Sequence, residues 1–163
     1  MALISDQIVP AATLPGASTH VLESSWLVAQ VDDALLALPR AALVNVEGCA
    51  LSPAPPWAAP WVGALALHHG SPVVALRLNG LAPANASAST QGLIAVMGDG
   101  TWGIWIDRLA GFSGGQPTQH DRRQPPASWP CPITFLTSFT LSDGRVAWMI
   151  DPAAISARLC AVL

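Results

Sequence analysis

The sequence predicts a mainly β protein of the barrel or sandwich class, closed by one short C-terminal helix. Three observations carry this. Short apolar runs recur along most of the chain, separated by turn residues. Several pairs of runs flank hairpin turns, of which Gly98-Asp99-Gly100 and Ser142-Asp143-Gly144 are the clearest. The last segment, from Asp151, opens with a helix-capping residue followed by proline.

Residues 1–25 mix Pro, Gly, Ser and Thr with scattered apolar residues and read as a flexible N-terminal arm. Trp26 to Val31 and Ala34 to Pro39 form a hairpin around Asp32-Asp33. Arg40 to Glu47 reads as a helical turn leading into a strand. Gly48 to Pro60 reads as a loop, because Pro53, Pro55, Pro56 and Pro60 exclude regular structure. Trp61 to Leu67 is apolar and leads to a polar turn at His68-His69-Gly70. Pro72 to Leu78 follows as a strand, and Asn79 to Gln91 as a loop.

Leu93 to Met97 and Thr101 to Asp107 make the second hairpin, and Arg108 to Phe112 continues as a short strand. Ser113 to Pro132 is a long loop rich in Gly, Gln and Pro. Ile133 to Leu141 and Arg145 to Ile150 make the third hairpin. The terminal helix, about residues 152–162, places Ile155, Leu159 and Leu163 on one face. The strands are nearly all apolar instead of alternating, which suits small β units packed against each other so that few strand faces meet water.

Of the 163 residues 52% are hydrophobic and only 10% charged, against about 25% in ordinary soluble domains. Either part of the surface is covered by something else, or the alanine-rich composition alone accounts for the high apolar content. The net charge is −3 and Arg122-Arg123 is the only basic pair, so a nucleic-acid stripe and a polybasic membrane patch are both missing. No apolar run reaches the ~18 residues of a membrane span, and the first residues lack the positive region of a secretory signal. Cys49, Cys131 and Cys160 are odd in number and far apart. They read as reduced thiols in a cytoplasmic protein, with neither a disulfide framework nor a zinc site.

The chemistry-bearing residues do not converge on a catalytic set. His68 and His69 are adjacent, and on a strand adjacent side chains point apart, so they do not have metal-ligand spacing. Gly111 to Gly115 spells G-x-S-x-G around Ser113, but no helix follows, so the strained elbow of a hydrolase is not formed. No glycine-rich loop runs from strand to helix, which leaves nucleotide binding unsupported. No cofactor and no metal are expected. Seven tryptophans are present. Trp102 and Trp105 lie an odd number of residues apart, so one faces the core and the other can face a partner. Trp57 and Trp61 flank a proline-rich loop, a common setting for an interface anchor.

Over about Trp26 to Leu159 the order of motifs resembles the CheW-like family of chemotaxis coupling proteins. WLVAQVDDALLALPRAALVNVE is similar to that family's opening hairpin and the segment after it. PWVGALALHHGSPVVALRL is similar to its central signature, an apolar run and Gly before an Asn-Leu-Arg-Gly turn and a Val-Asp-Leu strand. GIWIDRL matches the G-x-x-V-D-x-V strand, and ITFLTSFTLSDGRVAWMIDPAAI the last hairpin and helix.

The resemblance implies a CheW-like fold of two packed five-stranded SH3-like β-barrels. The first would cover about residues 26–72 and the second about 73–150, with the whole domain spanning 26–163. It implies no catalysis. It implies two partners, the regulatory domain of a CheA-type histidine kinase and the cytoplasmic tip of a chemoreceptor, joined by a scaffold adaptor. An accessory coupling protein of a pilus or twitching system is a second version of the same reading.

The chain departs from the family where Leu67 and His68 replace Asn-Leu, His69 stands at the Arg, and Arg77 at the Asp of Val-Asp-Leu. Gly70, Gly103 and Asp107 are kept. Changed charge at His69 and Arg77 implies an altered partner. Candidate partner-binding residues are Leu38, Val44, His69, Gly70, Arg77, Asp107 and Arg108. Two alternatives stay open: a small-ligand sensor with a Trp-lined cleft between the barrels, and a small β-barrel hydrolase using His68, His69, Ser113 or Asp107.

Overall fold

The computed structural model describes residues 25–78, 90–113 and 135–162. The N-terminal arm, His20, His120, Cys131 and all of the long loop after Ser113 lie outside the described residues. The elements run β1 (Trp26–Val31), β2 (Ala34–Pro39), a 3-10 turn (Arg40–Ala42), β3 (Leu43–Pro53), β4 (Val62–His68), β5 (Ser71–Leu76) and β6 (Thr90–Met97). Then come β7 (Trp102–Ile106), β8 (Arg108–Ser113), β9 (Phe135–Thr140), β10 (Val146–Ile150) and helix α1 (Pro152–Val162). Strands dominate, as the sequence implies.

Two five-stranded units form. One is a sheet in the order β8-β1-β2-β10-β9; the other is a closed barrel in the order β3-β4-β5-β7-β6. The fold class is the one the sequence implies. Among the described residues one five-stranded unit closes as a barrel, and the other is a sheet with β8 and β9 as its outer strands. Strand β5 runs across residue 72 and pairs with β4 as a hairpin within the barrel. The barrel is one insertion between β2 and β8. Hairpin signals identify neighbours, but β10 pairs in parallel with the distant β2, and turn chemistry does not report such a pairing.

Strand β3 is longer than expected. Its residues Gly48 to Leu51, read as loop, pair with Leu93, Gly92, Gln91 and Thr90 of β6. Pro53 is the last residue of β3 and pairs with Ala64, so the prolines exclude strand only beyond it.

Three apolar clusters explain the nearly continuous hydrophobic runs. Leu51, Ala64, Ala66, Val73, Ala75, Ile94 and Val96, with Cys49 and Trp105 packed against them, come from all five barrel strands and fill its interior. Val28, Leu35, Ala37, Phe139, Ala147 and Met149 cover one face of the sheet. Between the units lies the largest cluster, including Leu27, Leu36, Leu38, Leu76, Met97, Trp102, Ile104, Trp148 and Ile155. Strand residues alternate between two buried faces, so both parities are apolar.

Helix α1 begins as the sequence implies. Asp151 Oδ1 accepts the Ala154 N–H at 3.0 Å, Pro152 follows at the first helical position, and Ile155 is buried. The Trp102 indole N–H donates to Ser156 Oγ at 2.9 Å, which ties the helix to the barrel wall. In the β6–β7 turn Asp99 accepts from Thr101 Oγ1 and N–H, and these bonds hold its carboxyl below the usual range.

Candidate functional site

The barrel strands β3, β5 and β7 run one way and β4 and β6 the other. The candidate residues therefore sort to two ends of the barrel, about 20 Å apart along the six residues of β5.

At the first end, β4 and β5 are joined by two residues, His69 and Gly70, with φ of 49° and 82°. Positive φ at both positions is the signature of the tight turn that matches strand twist. His is among the side chains that tolerate this region, and Gly enters it freely. His68 thus belongs to β4, paired with Ser71, and not to the turn. The residue is 9% exposed, and Nδ1 sits 2.6 Å from Glu47 Oε1. Asn45 Nδ2 donates to the other Glu47 oxygen at 3.3 Å.

The two histidine rings do not point apart as strand alternation predicts; their centroids lie 4.2 Å apart at 59°. The left-handed backbone at His69 breaks the alternation. The Cys49 thiol is pushed up by burial and then by the charge of Glu47, so it stays protonated. Among the described residues no group of three or more His, Cys, Asp or Glu side chains is placed to hold a metal. Val44, half exposed, lies at this same end on a register shift between Leu43 and Asn45.

The turn supplies a stability test. His69→Val should lower the unfolding free energy by about 1–2 kcal/mol, the cost of a left-handed β-branched residue. His69→Asn should stay within about 0.5 kcal/mol of the parent. Urea denaturation of the three proteins measures both. Equal stability of all three would remove the left-handed conformation.

At the second end, the Arg77 guanidinium lies 4.5 Å from the centre of the Trp105 ring. Gly63 makes room for this stack, since a Cβ there would sit 2.6 Å from Arg77 Cβ and 3.3 Å from the Trp105 ring. The Arg77 N–H donates to the Trp61 carbonyl at 2.9 Å. Beside Trp105 lies a shallow, open depression of about 420 Å³ lined by Gly48, Gln91, Gly92, Leu93, Trp105, Ile106 and Asp107. Asp107 clasps the two units together: its N–H donates to the Gln30 carbonyl at 2.9 Å, and Oδ2 accepts the Asp32 N–H at 2.5 Å. Arg108 follows on the exposed start of β8.

Val44, His69 and Gly70 are thus grouped at one end, and Arg77, Asp107 and Arg108 toward the other. Leu38 joins neither group. It is fully buried between the units, so its side chain cannot touch a partner, and it is withdrawn as a contact. Its position in β2, which is paired on both sides, decides this. Trp102 is core at 2% exposure, while Trp105 turns into the barrel and reaches the depression. The Trp-lined cleft between the units is therefore not formed by Trp102. Ser113 lies at the end of β8, paired with Trp26, in the other unit from His68 and Glu47.

Sequence reasoning missed the Glu47–His68 pair, whose members are separated by twenty-one positions, and it left the exposed apolar residues unranked. Trp57 is 86% exposed, and Leu67, Phe112 and Leu136 are also exposed. Arg40 lies 5.9 Å over the Phe112 ring. Only Trp57 had a signal, its proline-rich setting.

No family model matches the sequence, and no curated protein matches it. A solved structure does: the scaffolding protein TtCheW from Thermoanaerobacter tengcongensis, with a TM-score of 0.59 at 12% identity. The alignment covers 85% of this chain and 90% of that one. The fold is therefore CheW-like.

Proposed function

We propose that this protein is a non-enzymatic scaffold adaptor that couples a chemoreceptor to a CheA-type histidine kinase. The observation that carries the reading is the extent of the fold match, which spans 90% of a scaffolding protein and 85% of this chain. The described residues add two supports. The polar pair Glu47–His68 and the clasp Asp32–Asp107 each satisfy their own hydrogen bonds within the fold, and they lie in different parts of the molecule. Exposed apolar side chains, by contrast, stand on both units and are available for contact.

The adaptor works in the cytoplasm, without cofactor or metal. Among the described residues no helix is long and apolar enough to cross a membrane. The altered turn and the Arg77 stack favour an accessory coupling protein of a pilus or twitching system, with partner choice set by charge at His69, Arg77 and Arg108 and by apolar contact at Val44.

The test is titration calorimetry of the folded protein against the regulatory domain of each CheA-type kinase in its own genome, and against receptor-tip peptides. Binding at a micromolar dissociation constant, about −8 kcal/mol, is expected for one kinase and one receptor. His69→Glu should weaken one of the two at least about fivefold, roughly 1 kcal/mol. A folded protein that binds none of them at about 100 µM, near −5.5 kcal/mol, removes the reading.

A further inference from the structure

The β3–β4 connection is two successive turns of the same design. The Ala58 N–H donates to the Pro55 carbonyl at 2.9 Å, and the Val62 N–H to the Ala59 carbonyl at 2.9 Å. Each turn carries proline at its second position, Pro56 and Pro60, and tryptophan at its third, Trp57 and Trp61. The outcomes differ. Trp61 packs against the shared core, while Trp57 stands 86% exposed. Proline fixes φ at both turns, so Trp57 is held out by a loop that has little entropy left to lose.

The loop around Trp57 is poor in every group that water would hold. No charged side chain occurs from Leu51 to Leu67. Between Ser52 and Pro60 the exposed residues are Ser52, Pro53, Pro56, Trp57 and Pro60, and of these only Ser52, at the base, has a polar side chain beside the indole. The backbone is short of donors too. Pro53, Pro55, Pro56 and Pro60 have no N–H, and those of Ala58 and Val62 are bonded inside the turns. Unpaired amides and charges make up most of the cost of leaving water, so this loop leaves it cheaply. A protein pocket asks for something else, because protein contacts ring their anchors with hydrogen-bonding groups. A groove that reads proline-rich ligands is also unsuited, since the turn from Pro55 to Ala58 bends the chain out of the extended helix such grooves recognise. The boundary of a lipid bilayer matches all of these features. It is apolar on one side and wet on the other, and the amphipathic indole concentrates there.

We propose that the β3–β4 loop is a membrane-surface anchor, with Trp57 inserting between the headgroups and the acyl chains of a bilayer. The charge of the chain decides the kind of lipid. At a net charge of −3, with no basic run, attraction to anionic headgroups does not drive the contact. Insertion is apolar, so zwitterionic lipid suffices and salt does not release the protein. One aromatic anchor gives weak, reversible adsorption. The contact needs neither kinase nor receptor, so it stands apart from the coupling role.

Flotation of the full chain with phosphatidylcholine vesicles, from about 0.1 mM to about 10 mM lipid, tests it, a span that brackets adsorption through a single apolar anchor. The bound fraction should rise with lipid and should be the same at about 50 mM and about 500 mM salt, which screen charge to different depths. Trp57→Ala removes an exposed side chain, so its folding is not at risk, and it should lower the partition coefficient at least about tenfold. Ala58→Asp keeps Trp57 but adds one charge beside it, and it should weaken partitioning at least about fivefold. Absence of flotation at every lipid concentration overturns the proposal and leaves Trp57 to a protein pocket. So does flotation that survives Trp57→Ala. So does flotation that requires anionic lipid and disappears at high salt.

Discussion

Leu38→Ala is expected to lower the unfolding free energy by about 2–5 kcal/mol, the cost of deleting a fully buried leucine. Leu38 packs where the sheet meets the barrel, with Leu36 beside it on β2 and Leu76, Met97, Ile104 and Ile150 in the same cluster. Neighbours from two units leave little freedom for the site to collapse around a void, which places the loss toward the upper part of the range. The cluster is shared, so the units should melt together, with a lower urea midpoint and an unchanged slope. Val44→Ala is the control. Val44 is half exposed on a strand irregularity, and its truncation should cost less than about 1 kcal/mol. The pair separates a core residue from a contact residue. If Leu38→Ala instead proved as stable as the parent, the packing between sheet and barrel would be wrong.

The same contrast shows how much of the molecule its sequence disclosed. Turn chemistry and apolar runs located most strands within a few residues, because hairpin signals are local. Which unit a strand joins depends on β3 pairing with β6 and β10 with β2, and these pairings are long-range. Leu38 was misjudged for a related reason. When both faces of a strand are buried, apolar parity no longer distinguishes a contact from the core. His68 was placed in the turn because three polar-looking residues in a row read as one turn. Its partner Glu47 is distant in sequence, and no local pattern announces that pair. Trp57 was legible as an anchor from its prolines, but its difference from Trp61 was not, since the two turns are alike in sequence and differ only in what lies beneath them.

Gly103 is the position where a single added atom should do most harm to the barrel. It faces Val96 of β6 and Ala75 of β5 in register. A Cβ there would lie 2.6 Å from Ile94 Cγ2 and 2.7 Å from the Ala95 carbonyl oxygen. The side chain could rotate away, but the carbonyl belongs to the backbone of a paired strand and can yield only if β6 and β7 separate. Gly103→Ala should therefore cost about 1–3 kcal/mol, and Gly103→Val, which adds two branches at the clash, about 3 kcal/mol or more. Against a total stability of about 5–15 kcal/mol the valine variant should be partly unfolded at physiological temperature. Gly48→Ala is the matched comparison on β3, where the added Cβ meets nothing and the replacement should be neutral or slightly stabilising. Urea midpoints of the three variants measure the difference. If Gly103→Ala matched Gly48→Ala, β6 and β7 would be further apart than closure of the barrel allows. The consequence reaches the surface as well. Trp105 lies two residues beyond Gly103 on the same strand and Asp107 four, so strands forced apart at Gly103 carry the wall of the depression and the clasp to Asp32 with them.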